Sequence, residues 1–445
     1  MLTLAANSDH VSAQESLAAA ATPAQAEPLA GIANGTFFAR SPDDSIQLFP
    51  NGRLQLDGLW LARDAANKMP DDALLVRRAR LELAGRIGKI IGFSLGSDFA
   101  TTSVGTDNFI VVDPWQRLFA LQVGQFNAPF TLDNSIGDKS TDFIERSATA
   151  RTFAVPTTKE VGAMLNGVAP HGLGHWALGL FNGDGQNARN SDSEFDVIGR
   201  FAVAPLALAP WSAVRNVTLG GSLWLGNRAN NKDAFAAQTT QNGFKFFESA
   251  WKATDATAVA HSYELRQKGE LRAYAVELNA PIDHRYGVRA EWVHKRQGLA
   301  ETDLADSKAA GLSELSGTSM YATAWWWAVG DDTLVPQDST QKLPSFEGLQ
   351  PTVLRHGLQL LARVERLDET LSSDHASLAN AMAGRTQLDA VQVGINYWYS
   401  KRFRASINYG AYHLSGTSKT IANAKTTNGG GAWENEATLR LAIAL

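Results

Sequence analysis

Cysteine is absent from all 445 residues, which excludes disulfides and thiolate metal sites and is compatible with an oxidising compartment. Charged residues are scarce at 19%, while hydrophobic residues reach 44%. Even so, no apolar run approaches the ~18 residues that a membrane-crossing helix needs, so a helical inner-membrane protein is excluded. No basic stretch carries interleaved aromatics, and with a formal charge of −5 nothing recommends a nucleic-acid partner. Met1 to Ala6 is too short and uncharged for a secretory signal, so the signal is expected to have been removed or the start to lie elsewhere.

What the chain does have is alternation. In WENEATLRLAIAL, Ala437, Leu439, Leu441, Ile443 and Leu445 share one face, while Thr438 and Arg440 share the other. The same period recurs in RLQLDGLWLARD, where Leu54, Leu56 and Trp60 oppose Arg53, Gln55 and Asp57. In LLVRRARLELAGR, Ala79, Leu81 and Leu83 oppose Arg78, Arg80 and Glu82. Strands of ten to thirteen residues with one greasy and one wet face suit a tilted crossing of a bilayer. About sixteen such segments follow Asn51, so the expected fold is all-β, a transmembrane antiparallel β-barrel. Residues 1–40, rich in Ala, Ser and Gln, read as a flexible N-terminal leader or periplasmic tail, and residues 41–445 as the barrel.

Long connections are expected at 127–159, 184–193, 227–268, 297–316, 330–353, 369–386 and 415–432, and short ones at 281–285 and 400–402. Long loops outside and short periplasmic turns are the outer-membrane pattern. The 127–159 segment holds Phe130, Phe143, Ile144 and Phe153, too many apolar anchors for a loop in water, so it should fold into the pore as its constriction. Its cations Lys139, Arg146, Arg151 and Lys159 face Asp133, Asp138, Asp142, Glu145 and Glu160, so it is no plain basic collar. Glu145 and Arg146 are expected to fix the loop to the wall.

Several segments, in order, resemble the phosphate-selective porin O and P family. They are LLVRRARLELAG, DFA at 98–100, LQVGQFNAPFTLD, TDFIERS, VGAML and ALGLFNGDG, followed by HGLQLLARVERLD, VGINYWYSKRFRASINYG and ATLRLAIAL. The resemblance covers nearly all of residues 45–445. It implies a sixteen-stranded outer-membrane barrel, commonly a homotrimer, with a constricting loop in each pore and anions favoured, phosphate or polyphosphate among them. It also marks Lys139, seven residues before Arg146, as a solute-contacting lysine; pairing with Asp138 or Asp142 is its alternative role. Two features depart from the family pattern: the terminal Leu445 is not aromatic, and 45 acids outnumber 40 Lys plus Arg.

On the alternation, Arg53, Arg78, Arg80, Arg200, Arg289, Arg363, Arg402, Arg404 and Arg440 point inward, against Asp57, Glu82, Asp98, Asp196, Glu277, Glu291 and Glu365. An inward guanidinium either replaces part of an anion's hydration shell or pairs with a neighbouring acid in a structural lattice. Of these, Arg78, Arg80, Arg289, Arg402, Arg404 and Arg440 join Lys139 as the candidate pore and solute-binding residues. Enzyme readings are weaker. His171 and His175 stand in a Gly-rich turn rather than a zinc motif, and NGDGQNARNSD at 182–192 lacks a calcium loop's closing Glu. Trp326 of WWW suits an interfacial girdle or a subunit contact.

The expectation is a passive outer-membrane channel for small hydrophilic solutes, anions preferred, needing no cofactor or metal and bounded by outer-membrane lipid. A weakly selective or cation-preferring porin is one alternative. A plugged barrel with an enzymatic or adhesive role is the other.

Overall fold

The computed structural model describes residues 28–33, 36–61, 72–101, 105–115, 118–154, 158–229, 234–236, 238–247, 249–254, 260–305, 307, 309–335, 355–374, 383–417 and 432–444. Sixteen antiparallel strands form one ring. They are Ile46–Leu61, Ala73–Ile87, Ile91–Asp98, Asn108–Val112, Ala120–Asn127, Lys159–Val168, Gly174–Phe181, Asp196–Val203, Thr218–Arg228, Ala260–Ile282, Tyr286–Asp303, Ala309–Val329, Gly357–Ser373, Gly384–Ser400, Phe403–Gly416 and Ala432–Ala444. Ala432–Ala444 pairs back onto Ile46–Leu61, with Arg440 opposite Asp57. Closure leaves no unpaired strand edge in the hydrocarbon, where an unsatisfied backbone group costs several kcal/mol.

Alternation sorts the side chains as the period of two requires. Leu54, Leu56 and Trp60 are exposed on the outside, while Gln55 and Asp57 are buried inside. One irregularity matters. A β-bulge opposite Gln55 and Leu56 pairs these residues with Arg78 and Val76, leaving Arg77 as the extra residue. Strict alternation would turn Arg77 away from Arg78, yet its guanidinium lies 3.1 Å from Glu145 inside the barrel.

The wall is uneven. Ala260–Ile282 and Ala309–Val329 run for 23 and 21 residues, whereas Ile91–Asp98, Ala120–Asn127, Gly174–Phe181 and Asp196–Val203 have 8 each and Asn108–Val112 has 5. The chain reverses between Ile282 and Tyr286 through Asp283 and His284, with φ of 48° and 57°, the two left-handed residues that match the twist of the flanking strands. This tight end, which also holds 401–402, is the periplasmic one.

Several expected connections change, residues 260–268 and 369–373 being strand. Residues 297–303 and 309–316 are strand, because the cross-strand pairing of Tyr286–Asp303 with Ala309–Val329 continues almost to the turn. The 330–356 connection lies at the tight end, not with the long outer loops, and its residues 336–354 fall outside the described ones. At the N-terminus, Ala30–Ala33 and Thr36–Arg40 form a hairpin whose Ala39 and Arg40 pair with Leu48 and Gln47. That hairpin lies inside the segment read as a flexible leader; residues 1–27 lie outside the described residues.

The apolar core lies inside the barrel. Inward Leu265, Leu271, Leu299, Leu315, Leu367, Leu371, Leu388 and Leu414 pack with Phe235, Phe244, Phe246 and Phe247 from the 229–259 connection and with Phe130 and Phe153 from the constriction loop. A small hairpin, Gln238–Thr239 with Lys245–Phe247, therefore reaches across the lumen. Its tip is held on the closing strand: the Asn242 amide N–H donates to Glu436 at 3.0 Å, and Gln241 Nε2 donates to Thr438 at 2.8 Å. The long outer connection expected at 227–268 thus sends part of its length into the barrel.

Candidate functional site

The loop between Asn127 and Lys159 crosses the lumen and is fastened at both ends by short helical turns. Leu132–Ser135 is capped by Thr131, and the backbone N–H groups of Leu132 and Asp133 both donate to the carboxylate of Glu291 on the wall. Ala148–Phe153 is capped by Ser147, and the Ala148 N–H donates to Glu365. Free N–H groups at a helix start need acceptors, and a buried carboxylate supplies them with its charge aligned to the dipole. Tyr321 adds a hydroxyl to Glu291 at 2.8 Å. The alternation marks Glu291 and Glu365 only as counter-charges to arginines; no sequence pattern marks them as holders of a loop.

Apolar contacts fix the loop between these ends. Phe130 is fully buried with its ring 5.6 Å from that of Trp224. Phe143 joins Trp325, Trp327, Leu361 and Trp398 in a second cluster, beneath the Arg363 guanidinium at 4.3 Å. Of the three tryptophans at 325–327, Trp325 and Trp327 are buried inside and Trp326 is exposed outside.

Most of the inward arginines meet loop acids. Asp138 accepts from Arg53, from Arg78 at 2.8 Å and from Arg80 at 2.9 Å, and Arg80 also binds Asp98 at 2.7 Å. Arg289 binds Asp142 at 2.6 Å. Glu145 receives Arg77 at 3.1 Å and Arg440 at 2.9 Å. Arg440, fully buried, further donates to the Ile144 carbonyl at 2.7 Å, so it supports the loop from beneath rather than facing open lumen. Arg146 donates to the carbonyls of Asp133 and Ile136, which ties one loop turn to another and not to the wall. Arg200 forms a two-point pair with Glu277 at 2.9 and 2.6 Å.

Burial would raise the Glu145 carboxyl, but Arg77, Arg440 and Arg78 outweigh it and hold it well below the usual range.

Arg404 differs from the others. It donates to the Thr141 carbonyl at 2.7 Å and lies 5.0 Å over the Trp398 ring, so a peptide dipole and a π-face, not a carboxylate, meet its charge. It lines a cleft with Arg53, Gln55, Lys139, Trp398, Lys401, Arg402, Ala442, Ile443 and Ala444. Five of these side chains are basic and none is acidic. The cleft lies on the periplasmic side of the loop, beside the Ser400–Phe403 turn. The structure thus gathers Lys139, Arg402 and Arg404 in one place and sends Arg78, Arg80, Arg289 and Arg440 to the loop's acids. Lys401 and Trp398 are cleft residues that sequence reasoning misses, a KR doublet in a tight turn being the available signal, and Arg53, expected to point inward, joins them although it is not among the solute-binding candidates.

His175 Nε2 lies 3.0 Å from Arg200, and His171 adopts φ 59° in the turn before it. Among the described residues, no group of three or more His, Cys, Asp or Glu side chains could hold a metal ion.

The fold is similar to that of OmpT, an outer membrane protein of Vibrio cholerae. Its loop L8 deletion mutant gives 9% identity and a TM-score of 0.52 over 90% of this chain and 100% of that one. The in-vitro folded OmpT in trimer form gives 10% and 0.51 over 90% and 100%. The outer membrane channel DcaP of Acinetobacter baumannii gives 12% and 0.51 over 91% and 99%. At such identities the likeness is one of fold. No curated protein matches the chain. The family model for phosphate-selective porin O and P matches residues 51–432, and on that match this outer-membrane barrel belongs to that family.

Proposed function

We propose that this outer-membrane channel prefers anions, phosphate among them, and that the basic cleft beside the loop is where they are drawn in. The observation that carries the reading is the lining of that cleft: Arg53, Lys139, Lys401, Arg402 and Arg404 with no acid among them. Low-dielectric walls focus the field of such a cluster, lower the barrier for an anion and raise it for a cation. Guanidinium forks and ammonium donors replace water around phosphate oxygens stepwise. Of the loop's acids, Asp142 and Glu145 are taken up by arginines outside the cleft, Arg289, Arg77 and Arg440, while Asp138 is shared between Arg53 at the cleft edge and Arg78 and Arg80 on the wall. Reversal potential in a KCl gradient across a planar bilayer tests the sign: a potential set by chloride supports the reading, and one set by potassium overturns it.

A homotrimer is part of the proposal. A tilted strand needs ~9–11 residues to cross the hydrocarbon. Strands of 5 and 8 residues on the low wall fall short, yet they carry exposed Leu95, Ile110, Val123, Leu178, Leu180 and Phe201. Packing that wall against another copy removes the mismatch.

A second reading, a barrel closed across its outer half, is favoured by the apolar hairpin spanning the lumen. Conductance of the purified protein separates the two, since a closed barrel passes no current.

A further inference from the structure

On the tall wall, where lipid meets the barrel, the outward face changes abruptly from apolar to charged. Val276, Met320, Val364 and Val391 are exposed on neighbouring strands. One to three outward positions further toward the outer end stand Arg272, Arg296, Arg366 and Arg385, interleaved with Glu270, Glu314, Asp368 and Asp389. Arg272 and Arg296 are directly opposite each other on paired strands, with side chains 62% and 59% exposed. Like charges placed directly opposite repel, and each has one acid beside it: Glu270 for Arg272, and Glu314 at 2.6 Å for Arg296. Arg385 pairs with Asp368, and Arg366 stands 3.6 Å from Asp389.

Just below the arginine pair is an aromatic step. Tyr274 packs 5.7 Å from Trp292 and 5.1 Å from His294. Such rings settle at the headgroup level of a bilayer, so the arginines above them stand among the phosphates of the outer leaflet. Isolated guanidiniums would suit a simple anion. The alternating acids add carboxylate oxygens, which hold divalent cations, and a divalent cation bridges carboxylate to phosphate.

We propose that this band, centred on Arg272 and Arg296, binds a phosphorylated glycolipid of the outer leaflet, arginines directly on its phosphates and the acids through divalent cations. The wall concerned is the tall one, opposite the low wall assigned above to subunit packing, so lipid has access to it. The proposal is independent of what the pore conducts.

The test is native mass spectrometry of the detergent-solubilised protein titrated with bisphosphorylated lipid A and Mg²⁺. Wild type should retain the lipid, and Arg272→Gln with Arg296→Gln should weaken it roughly thirtyfold, at the per-residue scale of headgroup attraction. Arg285→Gln, at the periplasmic turn, should leave binding unchanged. Equal binding by the double variant and wild type overturns the proposal, and so does displacement of the lipid by inorganic phosphate at equal phosphate concentration. Should the double variant fail to fold, the wild type decides alone: fully dephosphorylated lipid A must bind more weakly, and equal binding overturns the assignment.

Discussion

Arg440 and Asp57 face each other across the seam where the barrel closes, joined by two hydrogen bonds of 2.7 and 2.6 Å although 383 residues separate them in the chain. The same guanidinium reaches Glu145 and the Ile144 carbonyl, so one side chain fastens the last strand, the first barrel strand and the constriction loop. Truncation would therefore leave the buried Asp57 carboxylate without its partner and Glu145 with Arg77 alone, which is costlier than losing the pair as a whole. Arg440→Ala should destabilise the barrel by about 3–5 kcal/mol, read as a lower urea midpoint and a lower temperature for the gel-mobility shift of the unboiled form. Asp57→Asn with Arg440→Met should recover part of the loss. A silent Arg440→Ala would mean that the seam is held by its backbone ladder alone.

Next to it, Leu441 is exposed on the lipid side. An arginine there meets hydrocarbon instead of partners, and Leu441→Arg should cost roughly 2–4 kcal/mol near the midplane. Yield of folded protein from outer membranes measures this, with Leu441→Ile as the control.

The barrel was legible because lipid on one side and polar lumen on the other force a period of two, which the strands from Ile46 to Ala444 keep apart from local bulges such as the one at Arg77. The site was legible only in its composition. Arg78 and Arg80 were rightly placed on the inner face, but their partner Asp138 lies about sixty residues on, in a loop whose path no periodicity records. Arg77 escaped because a bulge re-aims it, and the 238–247 hairpin escaped because an aromatic FKFF segment reads the same whether it packs inside a barrel or sits in an outer loop.

Glu145 links the loop to Arg77 and Arg440, and the loop's hold should follow its charge. A carboxyl whose folded pKa is depressed adds stability that is fully present above its unfolded value and is lost as pH falls through the folded one. Here the folded value lies well below the ordinary 4.5, with Arg77, Arg440 and Arg78 overcoming burial. Single-channel noise should therefore stay low in wild type down to about pH 4 and be raised in Glu145→Gln across the whole of that range. A wild-type transition near the usual carboxylate value would show the loop to be held by other groups.

The hairpin across the outer half should restrict flow. Phe246 and Phe247 are almost completely buried against inward leucines. Phe246→Ala with Phe247→Ala removes that anchor, at about 3–5 kcal/mol for each large-to-small change. If the hairpin occludes the lumen, single-channel conductance rises while the barrel, held by its ladder, stays folded by circular dichroism. Unchanged conductance would place the solute path away from the hairpin.

Selectivity should respond to the basic cleft and little to charges elsewhere. Lys139→Glu puts a carboxylate among Arg53, Lys401, Arg402 and Arg404, where the walls focus the field. The chloride-to-potassium permeability ratio should fall, and any saturable block by phosphate should weaken. Arg404→Gln should act in the same direction, because it deletes a cation whose contacts are a carbonyl and a ring rather than an acid. Lys252→Glu is the control: its side chain is exposed, and screening over a Debye length of about 8 Å confines its influence. If Lys139→Glu and Arg404→Gln leave the ratio where Lys252→Glu leaves it, the cleft is not on the conduction path, and the arginines paired to Asp138 and Asp142 set whatever selectivity the channel has.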